Sequence, residues 1–177
     1  GDSLQTTNKN LSALSPGTGD FCAEGWMYLT TVPTTTYSTW PVPFNTTMVS
    51  SGGGYVDPGG GGDYGILFQY RKDGSNYSFN LVIKQNGSSG LDISTTGTSA
   101  SIQNRWVHWA ISRKSGSVAI FINGVRSATG SWSNSIVNTT AAAIFQRNAN
   151  SSNTDGYLYG YASGVRYVVG SYVYDPD

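Results

Sequence analysis

Trp106-Val107-His108-Trp109-Ala110-Ile111-Ser112-Arg113, then, across a short polar turn, Val118-Ala119-Ile120-Phe121-Ile122-Asn123-Gly124-Val125, is the stretch on which the fold turns. Val107, Trp109 and Ile111 recur at every second residue, and Val118, Ile120 and Ile122 answer them after Arg113-Lys114-Ser115-Gly116. A period of two places alternate side chains on opposite faces of an extended chain, so the stretch is a β-hairpin. The Asn123-Gly124 pair predicts a second tight hairpin directly after it, because both residues tolerate positive φ.

The same beat runs outward in both directions. Phe21, Ala23, Gly25, Met27 and Leu29 share one face of a strand and Cys22, Glu24, Trp26 and Tyr28 the other; apolar groups on both faces predict a central strand. Ile66, Phe68 and Tyr70 alternate with Leu67, Gln69 and Arg71, Lys72-Asp73-Gly74-Ser75 supplies a turn, and Phe79, Leu81 and Ile83 begin the return strand. Between Thr30 and Asp63 the pattern gives way to Thr-, Pro- and Gly-rich sequence, read as one long surface loop, and Arg147 to Asp155 forms a second polar stretch. Neither separates two cores, no internal repeat is present, and 177 residues suit one domain.

Composition agrees with strands and excludes several partners. Aromatic residues make up 13% of the chain, so burial rests on rings that favour strands. With one Glu, Glu24, and four Lys, the Glu–Lys pairs that support exposed helices are missing. Only 11% of residues are charged and the net charge is zero, which leaves nothing to hold a nucleic-acid backbone or an anionic membrane. Cys22 is the single cysteine, so neither an intramolecular disulfide nor a multi-Cys zinc site forms; its simplest role is a small buried apolar group. No apolar run approaches bilayer length, and from its start at Gly1 the chain is expected to be a piece of a longer protein.

Several short strands with turns between them predict a sandwich or barrel. Resemblance to a known family narrows this. The hairpin above resembles the central hairpin of laminin G-like jelly rolls, in which Trp, His-x-Ala, Arg, a turn and a strand ending in Asp/Asn-Gly recur. Gly19-Asp20-Phe21-Cys22-Ala23-Glu24-Gly25-Trp26-Met27-Tyr28 resembles that family's early strand, Gly160-Tyr161-Ala162-Ser163-Gly164-Val165-Arg166-Tyr167 its closing strand, and Gly170-Ser171-Tyr172-Val173-Tyr174 the tail of many phage and marine bacterial versions. The resemblance implies an all-β, two-sheet antiparallel jelly-roll sandwich of the concanavalin A-like kind, one laminin G-like domain over 1–177, with recognition at a rim or on the concave face. Two acids of the family's closing strand are Ser163 and Gly164 here, so no role of those carboxylates, calcium binding included, carries over.

Catalytic readings lack their parts. Gly1-Asp2-Ser3-Leu4 spells an esterase nucleophile signature, but the strand, helix and late Asp-x-x-His that would activate Ser3 are missing, and the only histidine is His108 in mid-strand. Glycoside hydrolysis needs two facing carboxylates, and Glu24 stands between Ala23 and Gly25 with no second Glu. Glu24 is expected in an ion pair with Arg166 or Arg113 across the sandwich, and His108 as a packed, hydrogen-bonded strand residue. Asp57, Asp63 and Asp155 converge only through folding, so no metal is assigned and calcium has no assignable ligand set. Six Asn-x-Ser/Thr triplets, at Asn10, Asn45, Asn76, Asn86, Asn138 and Asn150, matter only in a eukaryotic secretory pathway.

The expected function is therefore non-catalytic surface recognition: carbohydrate binding or adhesion, on an extracellular protein or a tailed-phage virion as capsid decoration or tail fibre. Partners are a glycan or cell-surface receptor and neighbouring virion or surface-protein chains, with no nucleic acid, membrane or cofactor. Sugars offer one apolar face and a rim of hydroxyls, so loop rings and short polar groups are the candidates: Trp40, Tyr55, Tyr64 and Trp132, with Asn153 and Asp155. Each ring is also a natural cap on the end of the core. A purely structural virion or protein–protein interaction domain is the alternative, and a glycoside hydrolase ranks last.

Overall fold

Alternation becomes two layers. The computed structural model describes residues 4–6, 12–33, 41–49, 55–56, 65–84, 90–98, 102–136, 141–145 and 157–177. Within them the strands are β1 (Leu4–Thr6), β2 (Phe21–Leu29), β3 (Phe44–Val49), β4 (Tyr55–Val56), β5 (Gly65–Asp73), β6 (Asn76–Lys84), β7 (Leu91–Ser94), β8 (Trp106–Lys114), β9 (Ser117–Ile122), β10 (Val125–Ser131), β11 (Ala141–Ile144) and β12 (Gly160–Val169). A single 3-10 turn at Ser12–Leu14 is the one helical element among the described residues. One antiparallel sheet has seven strands, in the order β1-β11-β3-β5-β6-β7 with β4 beside β3, and the other has five, β10-β9-β8-β2-β12.

The jelly-roll sandwich that the family resemblance implies is thus what the chain forms, and its tight turns follow the chemistry of their residues. Ser115 (φ 49°) and Gly116 (φ 88°) join β8 to β9, and Asn123 (φ 51°) and Gly124 (φ 78°) join β9 to β10. Two successive residues at positive φ give the backbone twist that matches paired strands. As expected, β2 is paired on both sides, to β8 and to β12.

Alternate residues of both sheets meet between them. Phe21, Ala23, Met27 and Leu29 of β2, Val107, Trp109 and Ile111 of β8, and Val118 and Ile120 of β9 pack with Ile66, Phe68 and Tyr70 of β5 and Phe79, Leu81 and Ile83 of β6 in one core. Phe68 stacks on Phe79 at 5.6 Å and lies 5.3 Å from the Trp109 ring, joining the layers. Each such ring or branched chain stabilises the fold by roughly 1.5–3 kcal/mol on burial. Gly25 faces Trp109 across the β2–β8 pair, and a Cβ there would lie 3.0 Å from the indole and 2.9 Å from Val165.

Two expectations change. The stretch from Thr30 to Asp63 is not one loop: β3 and β4 lie within it, and Val42 and Phe44 are buried. Thr-rich strands such as Phe44-Asn45-Thr46-Thr47 lack strict apolar alternation, yet pair well because Thr is β-branched. Arg113 does not reach Glu24. It points inward from β8, places its guanidinium over Phe21 at 5.2 Å, and donates from Nε to the Gly19 carbonyl and from Nη2 to the Gly17 carbonyl, each at 2.8 Å. The polar stretch from Arg147 to Asp155 lies outside the described residues.

Candidate functional site

The outward residues of the five-stranded sheet decide where chemistry is available. Strand register places Trp106 of β8, Tyr28 of β2 and Tyr161 of β12 side by side in one row. Their rings touch: Tyr28 is 5.7 Å from Trp106 and 5.8 Å from Tyr161, at tilts of 60° and 55°. In the next row Trp26 lies beside His108, ring centroids 5.1 Å apart and edge-on. Trp26, Trp106 and Tyr161 are 45%, 47% and 64% exposed, a concentration of large rings that ordinary solvent-facing sheets do not carry.

One row further along stands Glu24, opposite Arg166 of β12. The expected ion pair with Arg166 forms between neighbouring strands of one sheet, not across the sandwich. Arg166 donates Nε–H to Glu24 Oε1 at 2.8 Å and adds a second bond from Nη2. Tyr174 donates its hydroxyl to Oε2 at 2.7 Å, and His108 Nε2 is 3.3 Å from the same oxygen and 3.4 Å from the Tyr174 hydroxyl. Burial works against ionised Glu24, but the bonds from Tyr174, Arg166 and His108 and the charge of Arg166 outweigh it, holding its pKa below the ordinary glutamate value. Burial, and then the bond to Glu24, push the Tyr174 phenol up to about 12, so it stays a protonated donor.

Around this cluster lies an open depression lined by Glu24, Trp26, His108, Asn123, Gly124 and Tyr174. Asn123 is fixed by the turn it makes possible: its amide N–H donates to the His108 carbonyl at 2.9 Å, and its side-chain oxygen accepts the His108 N–H at 3.0 Å. One wall is therefore an exposed indole and the others carry a hydroxyl, an amide, an imidazole and a saturated carboxylate. Such a surface can stack an apolar face and exchange hydrogen bonds with hydroxyls. Among the described residues that line it, Glu24 is the one carboxylate.

The loop candidates fare differently. Trp132 is drawn into the core, 6% exposed, its backbone N–H bonded to the Gly116 carbonyl at 2.8 Å; it is a core cap and does not offer its ring to a ligand. Tyr55 begins β4, and its side chain lies outside the described residues, as do Trp40, Tyr64, Asn153 and Asp155 and the acids Asp57 and Asp63. Trp132, the one candidate whose side chain is described, enters neither the depression nor the ring row. The residues that form the row and lead into the depression, Trp26, Tyr28, Trp106 and Tyr161, sit in strands, and they become a site only once the pairing of three strands is known.

The laminin G-like model of the concanavalin A-like lectin/glucanases superfamily matches residues 1–167. The chain belongs to that superfamily. Among solved structures, the heptameric SAP-like pentraxin of Limulus polyphemus is similar at a TM-score of 0.59 and 14% identity, over 93% of this chain and 68% of that one. Domains LG4-5 of the mouse laminin α1 chain are similar at 0.57 and 12%, over 94% of this chain and 38% of theirs. The enzymatically active domain of tailspike protein 2 from bacteriophage CBA120 is similar at 0.58 and 19%, over 96% and 24%. This chain thus spans well under half of the laminin and tailspike chains. At these identities the likeness establishes a shared fold. No curated protein matches the sequence.

Proposed function

We propose that this concanavalin A-like domain is a non-catalytic recognition module that binds carbohydrate on the outer face of its five-stranded sheet. The observation that carries the reading is the in-register row Trp106–Tyr28–Tyr161, with Trp26 leading from it into the Glu24–His108–Tyr174 depression. Pyranose rings present C–H faces to aromatic rings and hydroxyls to amides and carboxylates, and both are offered within two strand rows. Glu24 is saturated by three donor side chains and is the one acid among the described residues of the lining, which supports recognition over hydrolysis.

An extracellular or virion setting is supported by the tail Gly170–Tyr174, which resembles that of many phage and marine bacterial members of the family, and the fold shared with a phage tailspike domain is consistent with it. An open, shallow face suits weak binding at each site, and many copies on one particle raise avidity without new contacts. A glycan array probed with a multimerised domain tests this: a defined set of glycans is retained, and Trp106→Ala and Tyr161→Ala lose it while keeping the fold. The exposed rings also suit a contact with neighbouring protein chains. Uniform silence on the array, together with a stable oligomer dispersed by Tyr161→Ala, would replace the glycan reading with that structural one.

A further inference from the structure

Gly170 to Asp177 leave β12 and turn back over the outer face just described. The Tyr174 carbonyl accepts from Ser112 Oγ of β8 at 2.7 Å, and the Pro176 carbonyl accepts from Arg126 Nη1 of β10 at 2.8 Å. Lys114 Nζ pairs with Asp175 at 2.8 Å and with Asp177 at 3.0 Å. The Tyr174 ring packs 5.3 Å from Phe121 of β9, over a small apolar cluster of Ala110, Ala119 and Phe121 that faces away from the main core. Cys22, also outward from β2, is 1% exposed beneath this segment, whose Val173 and Tyr174 backbones approach its thiol. The strap thus crosses four strands and sends one side chain, Tyr174, back to Glu24 and His108.

We infer that this strap is part of the binding site, and that the depression it completes takes an uncharged, hydroxyl-bearing sugar unit in preference to an acidic one. The inference rests on the outer face being the ligand face. Tyr174 contributes one wall of the depression and the hydroxyl that orients Glu24, so a strap that lifts takes both away. A ligand seated against Tyr174 binds only the docked form and shifts the strap equilibrium toward it. The ligand class follows from the charges. Among the described residues the lining holds one acid and no lysine or arginine, and the neighbouring cation, Arg166, already commits Nε and Nη2 to Glu24 Oε1. A carboxylate or sulfate would face Glu24 with its counter-ion engaged, whereas an uncharged hydroxyl meets no such repulsion and can accept from the Asn123 side-chain amide.

Cys22 reports on the strap without reference to any ligand, because it is the chain's only thiol and lies under it. Burial, with the charge of Glu24 adding to it, raises its pKa to about 11, so the docked form is doubly protected. The experiment measures the rate at which neutral dithiodipyridine modifies Cys22 in the folded full chain, for the wild type, Tyr174→Ala and Ser112→Ala, with circular dichroism confirming fold. Modification should be at least ten-fold faster in Tyr174→Ala and intermediate in Ser112→Ala. Saturating neutral hexose oligosaccharides should slow the wild-type reaction three-fold or more, and oligouronates of equal length should leave it unchanged. Equal rates in all three proteins would overturn the strap, and equal protection by neutral and acidic sugars would overturn the ligand class. A retained neutral oligosaccharide that leaves the rate unaltered would overturn the coupling. If no sugar of either kind binds, the glycan reading of the face fails and the ligand class with it, while the variant rates still decide whether the strap covers the sheet.

Discussion

Glu24→Gln removes one charge from the outer face and changes little else in size, so it isolates what ionisation at this position does. Glu24 and Tyr174 share a partly buried 2.7 Å bond, and the Glu24 side chain is 12% exposed. Such a bond to an ionised group stabilises a fold by roughly 1.5–3 kcal/mol. The Arg166 pair adds about 0–1 kcal/mol, since the arginine side chain is more than half exposed and solvent screens it. A glutamine oxygen still accepts from Tyr174, so the expected loss at pH 7 is about 2 kcal/mol, or a urea midpoint lowered by roughly 1 M for a slope near 2 kcal/mol/M. The pH dependence gives the sharper check. A carboxylate whose folded pKa lies below its unfolded value stabilises the fold above the unfolded pKa, near 4.3, and the stabilisation disappears as pH falls through the folded value. Urea titrations of both proteins at pH 7, 5, 4 and 2.5 should show a constant gap down to about pH 5 that narrows below about 4.3 and closes in acid. A gap that persists unchanged at pH 2.5, or one below about 0.5 kcal/mol at pH 7, would refute the assignment of Glu24 as an ionised, hydrogen-bonded centre.

Gly25→Ala drives a methyl into Trp109 and Val165, and should lower stability by about 1–3 kcal/mol in chemical denaturation, with far-UV circular dichroism unchanged in shape. Arg113→Met keeps apolar bulk over Phe21 but deletes the donors to Gly17 and Gly19; a loss of roughly 2 kcal/mol is expected, and Arg113→Lys should recover only part because one ammonium does not reproduce the two-carbonyl fork. Trp106→Ala and Tyr161→Ala should leave the thermal midpoint within about 2 °C, because Trp106 is 47% and Tyr161 64% exposed, yet weaken binding of array-positive glycans on the order of five- to ten-fold by titration calorimetry.

The sequence carried the layers further than it carried the site. Val107, Trp109 and Ile111 against Val118, Ile120 and Ile122 fix both register and inward face, because a slip of one residue would turn every apolar side chain to the wrong side. β3 escaped the same reading because a strand needs pairing more than alternation, and its Asn and Thr residues give the pattern of a loop. The site escaped for a different reason. A ring in a loop and a ring in a strand look alike until strand order is known, and only the pairing of β8 with β2 and of β2 with β12 brings Trp106, Tyr28 and Tyr161 into one row. For Glu24 the sequence left Arg166 and Arg113 both open, and only the β2–β12 register selects Arg166; Tyr174 lies 150 residues away along the chain, and no local pattern connects them. Trp132 shows the converse: flanked by Ser131 and Ser133 it looks solvent-facing, while its backbone bond to Gly116 turns the ring inward.

How the outer face is divided links the fold to its use. In an antiparallel sheet whose inner face fills the core, the outer face is normally polar and wet. Here it is apolar in two parts with different fates. The part under Tyr174, comprising Ala110, Ala119 and Phe121 with Cys22 nearby, is built from small side chains and one ring and is sealed by the chain's own strap. The part beyond it is built from Trp26, Tyr28, Trp106 and Tyr161, large amphipathic rings that the strap does not cover. Small residues let a backbone lie close, and large rings hold it away, so the boundary between covered and open surface is set by side-chain size along β2 and β8. The Glu24 cluster lies at that boundary, where Tyr174 from the strap and Trp26 from the open face line one depression. A ligand bound there touches both parts at once, which is why strap docking and ring stacking should fail together in Tyr174→Ala and separately in Trp106→Ala.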